Sequence, residues 1–179
     1  MQTLETSRLI LRNFVTTDAP ELIEYITNPR VNCFLEHNVS TLEDAVIEIE
    51  KRSIADEYIA VCLKESNKLI GELFTMKEEP DTYNIGWNFN VKYEGKGYAS
   101  ESANAFMEYL YMQQEARRLY AYVEDDNFRS QKLCEKLGMR REGLFKEFIS
   151  FTKHEDGTPK YENTFQYALL KKEWLAHQK

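Results

Sequence analysis

The spacing of apolar residues changes period several times along the chain. Residues 7–14, SRLILRNF, alternate and predict a strand. In TTDAPELIEYIT, Leu22, Tyr25 and Ile26 share a face, which predicts a helix over 19–27 with Asp18 as N-cap. NPRVNCFLEHNVS has no period and reads as a loop. Leu42, Ala45, Val46 and Ile49 mark a second helix over 42–54, capped by Thr41 or Ser40. The period then falls to two. Segments 57–63, 68–76 and 82–91 read as strands joined by the polar turns KESN and KEEPD, so they form an antiparallel meander. A helical stripe returns over 98–114 through Ala99, Ala103, Phe106, Met107 and Leu110. A strand at 118–123 follows, then a helix at 127–137 stopped by Gly138. Two last strands, 143–153 and 161–170, meet at an Asp156–Gly157 turn. The strand–helix–strand unit from 82 to 123 calls for a right-handed crossover with parallel outer strands. The expected class is α/β: a mixed, mostly antiparallel central sheet with one parallel step and flanking helices.

Composition narrows the function classes. The 179 residues suit one domain spanning 1–179, and 42% hydrophobic with 13% aromatic content is globular. No apolar run nears the ~20 residues of a membrane span. MQTLETSRLILRNF lacks the layout of a signal peptide. Both features point to the cytoplasm and away from a membrane partner. Cys33, Cys62 and Cys134 contain no C-x-x-C pair, which argues against a disulfide framework or a metal site. The net charge of −7 lacks the basic footprint of a nucleic-acid binder. It serves solubility, and it attracts cationic partners such as amines. Oligomer formation stays open.

The run KYEGKGYASE, residues 92–101, carries the most chemistry. It places Gly95 and Gly97 between a strand and a helix. The first-turn N–H groups of a helix lack intrahelical partners and sit at the positive end of the macrodipole. Glycines let the backbone approach a phosphate without a Cβ in the way. The amides from Gly95 through Tyr98 and Ala99 to Ser100, with Lys92 and Lys96, therefore suit a pyrophosphate. A dinucleotide fingerprint needs a third glycine where Ser100 stands, and EGKGYA is no Walker A loop. An ordinary strand-to-helix turn is the plain alternative.

The wider pattern resembles the Gcn5-related N-acetyltransferase superfamily. That family's phosphate loop reads Q/R-x-x-G-x-G/A, here Lys92 to Gly97, and a later helix reads N-x-x-S/A followed by L-G-F/M, here Asn127, Ser130, Leu137, Gly138 and Met139. TSRLILRNFVTTDAPEL, EGLFKE and YALLKKEW look like the ribosomal-protein N-terminal (alanine and serine) acetyltransferase branch. The resemblance implies an acyl-CoA N-acyltransferase fold with a splayed parallel strand pair. It also implies acetyl-coenzyme A on the loop and no metal. The backbone of Phe89, Asn90 and Val91 would pair with the pantetheine arm, an N–H of Phe89 or Asn90 would polarise the thioester carbonyl, and Asn127 and Ser130 would lie along the cofactor. Asn127 is equally a helix N-cap.

The chain departs from the family at one point. Many members carry a tyrosine, thought to protonate the leaving thiolate, where this chain has Cys134. A serine on the same helix is the substitute proposed for the ribosomal branch, which favours Ser130 as acid. Without an acid the chain would be a coenzyme A-binding module rather than an enzyme. The acceptor implied is a primary amine, on a peptide N-terminus or a small cation such as a polyamine or aminoglycoside. A protein α-amino group with pKa ~7.8 is neutral in roughly one molecule in seven at pH 7, a lysine-like amine in about one in a few thousand. A side-chain amine thus needs a base, for which Glu72 and Glu36 are the candidates. Glu72 alternates with Ile70 and Phe74, so a core-facing carboxylate there needs a partner.

Overall fold

The computed structural model describes residues 2–27, 29, 31–35 and 39–177. Eight strands form one sheet: β1 (Leu4–Glu5), β2 (Leu9–Arg12), β3 (Tyr58–Leu63), β4 (Leu69–Glu78), β5 (Thr82–Phe89), β6 (Arg118–Glu124), β7 (Arg140–Lys153) and β8 (Pro159–Leu170). Their spatial order is β1-β2-β3-β4-β5-β6-β8-β7. Every neighbouring pair is antiparallel except β5 with β6. The helices are α1 (Ala19–Ile26), α2 (Leu42–Ile54), α3 (Tyr98–Met112), α4 (Phe128–Lys136) and α5 (Lys171–His177). The meander and the single parallel step are those the apolar periods predict.

Alternation along β3 divides the core. Ala60 and Cys62 face α1 and α2, packing with Phe14, Leu22, Ile26 and Ile49. Ile59 and Val61 face the other way, toward Phe106, Met107, Leu110 and Tyr111 of α3. Leu22, Ile26 and Ile49 are fully buried, and each contributes about 1.5–3 kcal/mol.

Several local expectations change. Asp18 occupies the N-cap position of α1, but its side chain makes no cap bond to that helix. Its carboxylate is taken by a two-pronged Arg12 contact, 2.7 Å on each arm, and by the Val15 N–H. Of the two proposed caps for α2, Thr41 serves: it accepts from the Asp44 N–H, while Asp44 accepts from the Thr41 N–H. The strand expected over 82–91 stops at Phe89, because Val91–Tyr93 winds into a 3₁₀ turn. β1 and α5 are too short to show a period and went unpredicted.

Glu72 is buried, and so is its partner. Arg52 of α2 donates to Glu72 through Nη1 and to Glu48 through Nε (2.9 Å), with its guanidinium 4.8 Å from the centre of the Tyr58 ring. Ile70 does not share the face of Glu72. Val61 opposes Gly71 while Cys62 opposes Leu69, so Ile70 is the extra residue of a bulge and packs on the α3 side. Arg52→Ala leaves a buried carboxylate unpaired, so denaturant unfolding is expected to show a loss of about 3–5 kcal/mol. Replacing both partners, as in R52M/E72L, is expected to recover most of it. A loss below about 1 kcal/mol in the single variant would contradict this reading of the pair.

Candidate active site

The glycine loop leads directly into α3. Gly95 and Gly97 have φ of 76° and 82°, the left-handed region that L side chains avoid. Gly97 is the N-cap of α3, and no side chain caps the helix. A Cβ on Gly95 would meet nothing within 4 Å, and one on Gly97 would meet only Arg8 Nη2 at 3.5 Å. The backbone turn, not crowding, therefore demands glycine, and the α3 N-terminus is open to an anion.

Side chains hold this loop from several directions. Arg8 donates to the Lys96 carbonyl (3.0 Å), pairs with Glu101 (2.6 Å), and lies 4.6 Å from the Tyr98 ring centre. Glu101 also accepts from Thr6, Ser7 and the Arg8 N–H. Burial pushes the Glu101 carboxyl up, but these bonds outweigh it and hold it below the usual carboxylate range. Arg129 of α4 pairs with Glu94 (2.7 Å). Ser100 is buried, donating to the Gly97 carbonyl (3.0 Å) and accepting from Lys136 Nζ (2.9 Å). Lys96 remains exposed, with Nζ over Tyr93. Ala99 is half-buried in the first turn of α3, and Val91 is exposed. Lys92 turns toward α1 and pairs with Glu24 (3.0 Å), so its charge is not directed at the loop.

Beside the loop the sheet opens. β5 and β6 pair only from Thr82 with Arg118 to Asn84 with Tyr120. The Asn90 N–H donates to the Ile70 carbonyl (2.9 Å), and Asn88 lies opposite Glu72. In an antiparallel ladder the even positions of β5 therefore bond to β4, and the N–H groups of Trp87 and Phe89 point toward β6. Asn90 thus drops out as a thioester donor: its amide is used, its carbonyl accepts from Tyr93, and its side chain bonds Lys92 N–H and Glu24. Phe89 keeps an amide facing the opening.

A side-chain hydrogen bond reaches from β5 over the opening to α4. Trp87 Nε1 donates to Ser130 Oγ at 3.2 Å. Asn127 caps α4, its side chain accepting from the Ser130 N–H. Cys134 is buried in the apolar cluster, where burial pushes its thiol up to about 12. It is a core residue.

A cavity of about 370 Å³ lies on the α2 side of the sheet, lined by Phe34, Tyr58, Glu72, Phe74, Tyr122 and Phe148 among others. The Phe74 ring lies across Gly86, where a Cβ would clash at 2.1 Å. Glu124, at the end of β6, lines this cavity and a second of about 480 Å³ beside Asn32, Asp126, Asn127 and Glu162. Burial raises its pKa above the usual carboxylate range; Glu162 and Asp126 add to this, while its own backbone and Asn127 partly offset it. The candidate base Glu72 lines the first cavity but is committed to Arg52; Glu36 lies outside the described residues. Glu124, Arg8, Arg129 and Lys136 escaped sequence reasoning. Their alternation and helical spacing look ordinary, and their partners lie far along the chain.

Among the described residues, no group of His, Cys, Asp and Glu is placed to hold a metal, and no helix is long and apolar enough to cross a membrane. A glycine-led helix N-terminus beside a parallel pair that parts is the frame of an acyl-CoA N-acyltransferase. Residues 8–140 match the acetyltransferase (GNAT) domain family, and the chain belongs to that family. It is 35% identical to the uncharacterized N-acetyltransferase YnaD of Bacillus subtilis (strain 168), across 96% of this chain and 98% of that one. A GNAT-family acetyltransferase from Bacillus anthracis superposes with a TM-score of 0.85 at 34% identity, covering 96% of this chain and all of that one. RimL, a ribosomal L7/L12 α-N-protein acetyltransferase solved with coenzyme A, shares the fold at TM-score 0.75 and 18% identity, over 94% and 98% of the two chains.

Gly97→Val is expected to abolish acetyl-coenzyme A binding in calorimetry while circular dichroism stays native. Gly157→Ala, at a similar φ of 85° in the β7–β8 turn, controls for backbone strain and is expected to bind normally. Unchanged affinity in the Gly97 variant would remove this loop from the site.

Proposed function

We propose that the protein moves an acetyl group from acetyl-coenzyme A to a primary amine by direct attack, in the opening between β5 and β6. The observation that carries this reading is the Trp87–Ser130 hydrogen bond across that opening. An indole N–H can only donate, so Ser130 Oγ accepts and its own proton remains available. The Gly95–Ser100 amides would hold the pyrophosphate, with Lys96 adding charge and Arg8 bracing the Lys96 carbonyl. The Phe89 amide would polarise the thioester carbonyl. Bound acetyl-coenzyme A supplies an activated acetyl group. The amine nitrogen bonds to the acetyl carbon as the carbon–sulfur bond breaks, and the departing sulfur takes the Ser130 proton.

Two kinds of acceptor are compatible with the site. A peptide N-terminus has the support of the fold shared with RimL. A small cationic amine has the support of the aromatic-lined cavity beside Phe74.

Ser130→Ala is expected to lower kcat by ~10²-fold, a typical general-acid contribution. Cys134→Ala is expected to lose stability but keep kcat, because the thiol lies in the core. Thiol release with a saturating amine measures both. A normal Ser130→Ala rate would assign the proton to water, and a collapse in Cys134→Ala alone would move the acid to the thiol.

A further inference from the structure

Resting on the acetyl-transfer reading, we propose that the acceptor is a compact monoamine with an aryl or branched alkyl body, held in the cavity between Phe74, Tyr122 and Phe148, and that Glu124 takes the proton from its nitrogen. The walls of the cavity set the class of body. Phe34 and Phe74 meet edge to face at 6.1 Å, Tyr122 and Phe148 lie tilted at 5.3 Å, and Tyr58 and Phe151 add to the aromatic lining. A volume of about 370 Å³ is near the lower end for small-ligand sites. Aromatic walls favour an apolar body and attract a cation through the ring faces.

The polar groups set the number of charges. Among the described residues, Glu72 and Glu124 are the carboxylates of the lining, and Arg52 already neutralises Glu72. Glu124 is left for one ammonium. Its cross-strand partner on β8 is Thr164, so the two side chains stand side by side on one face. Thr164 is 1% exposed, lines the cavity, and its Oγ1 has no hydrogen-bond partner. Carboxylate and hydroxyl together form one two-point station for an N–H donor. Within the first cavity, among the described residues, a polyamine's second cation would have no unpaired carboxylate to meet it. A peptide would bring backbone N–H and C=O groups into a wall of aromatic rings, where unpaired polar groups are costly.

The proton passes as R–NH₃⁺ plus the Glu124 carboxylate to R–NH₂ plus the carboxylic acid, before the neutral nitrogen attacks. Around Glu124, Asp126, Glu162 and Arg129 face the second cavity, Arg129 being paired with Glu94, and Asn127 beside Glu124 partly offsets the rise in its pKa. On the first cavity's side stand the Glu72–Arg52 pair and Cys33. Burial, followed by the charge of Glu124, raises the Cys33 thiol to about 12. The raised Glu124 pKa suits an acceptor of protons from an amine near neutral pH.

The test measures thiol release from acetyl-coenzyme A with 2-phenylethylamine, ethylamine, spermidine and a tetrapeptide beginning with serine. The expected kcat/KM for 2-phenylethylamine is at least ~10-fold above that for spermidine and the peptide, the scale of a few buried methylenes. In Phe148→Ala the preference for 2-phenylethylamine over ethylamine is expected to fall about tenfold. Glu124→Gln is expected to lose ~10²-fold near pH 7, with the deficit shrinking toward pH ~10 as the free amine needs no base. Retained acetyl-coenzyme A affinity shows that both variants are folded. A preference for the peptide or spermidine, or a Glu124→Gln deficit independent of pH, would overturn this inference and leave acetyl transfer standing. Acetyl-coenzyme A binding without thiol release on any amine would overturn both.

Discussion

The structure turns on the separation of β5 from β6 after Asn84 and Tyr120. Each strand keeps its outer neighbour: β5 stays bonded to β4 as far as Gly71 with Phe89, and β6 to β8 as far as Glu124 with Thr164. The cost of opening the sheet is therefore confined to the inward-facing backbone groups of a few residues, at roughly 1–3 kcal/mol for each buried group left unpaired. A ligand that pairs with those groups recovers that cost, which is why an opened sheet suits an extended acyl carrier. Trp87 reaches across to α4, α3 begins at one end of the opening, and Glu124 stands on β6 beyond it.

Charge is sorted around that opening in a way that the net charge of −7 conceals. Arg8, Lys96, Arg129 and Lys136 gather near the glycine loop, three of them holding the backbone or side chains that shape it. Glu72, Glu124, Asp126 and Glu162 gather at the two cavities, and Arg129 stands between the loop and the second of them. One region suits an anion, the other an ammonium. Buried pairing decides which carboxylates stay available: Arg52 silences Glu72, whereas Glu124 keeps a raised proton affinity because burial and Glu162 oppose its charge.

What could be read from the sequence divides by range. Helices α2, α3 and α4, the meander and the parallel step follow from local periodicity. Gly95 and Gly97 could be read because a sharp strand-to-helix turn needs them, and Asn127 because capping is local. Contacts between distant segments had no such signal. Arg8 meets Glu101 across 93 residues, and Ser130 meets Trp87 across 43. The pairing of Glu72 was required by its apolar neighbours, but its partner Arg52 looks like any helix surface cation. The bulge that displaces Ile70 and the 3₁₀ turn after Phe89 both break an alternation that otherwise holds. The ladder alternation that continues to Asn90 commits its amide to β4 and turns the Phe89 amide toward β6.

The central claim is that the Phe89 amide is an open donor which acetyl-coenzyme A engages, while the Asn90 amide is already bonded within the sheet. Amide hydrogen exchange, resolved residue by residue with and without acetyl-coenzyme A, measures this directly. The account predicts that Phe89 exchanges rapidly in the free protein and becomes strongly protected on binding, while Asn90 is protected in both states. A Phe89 amide already protected in the free protein, or one that binding leaves unchanged, would contradict it.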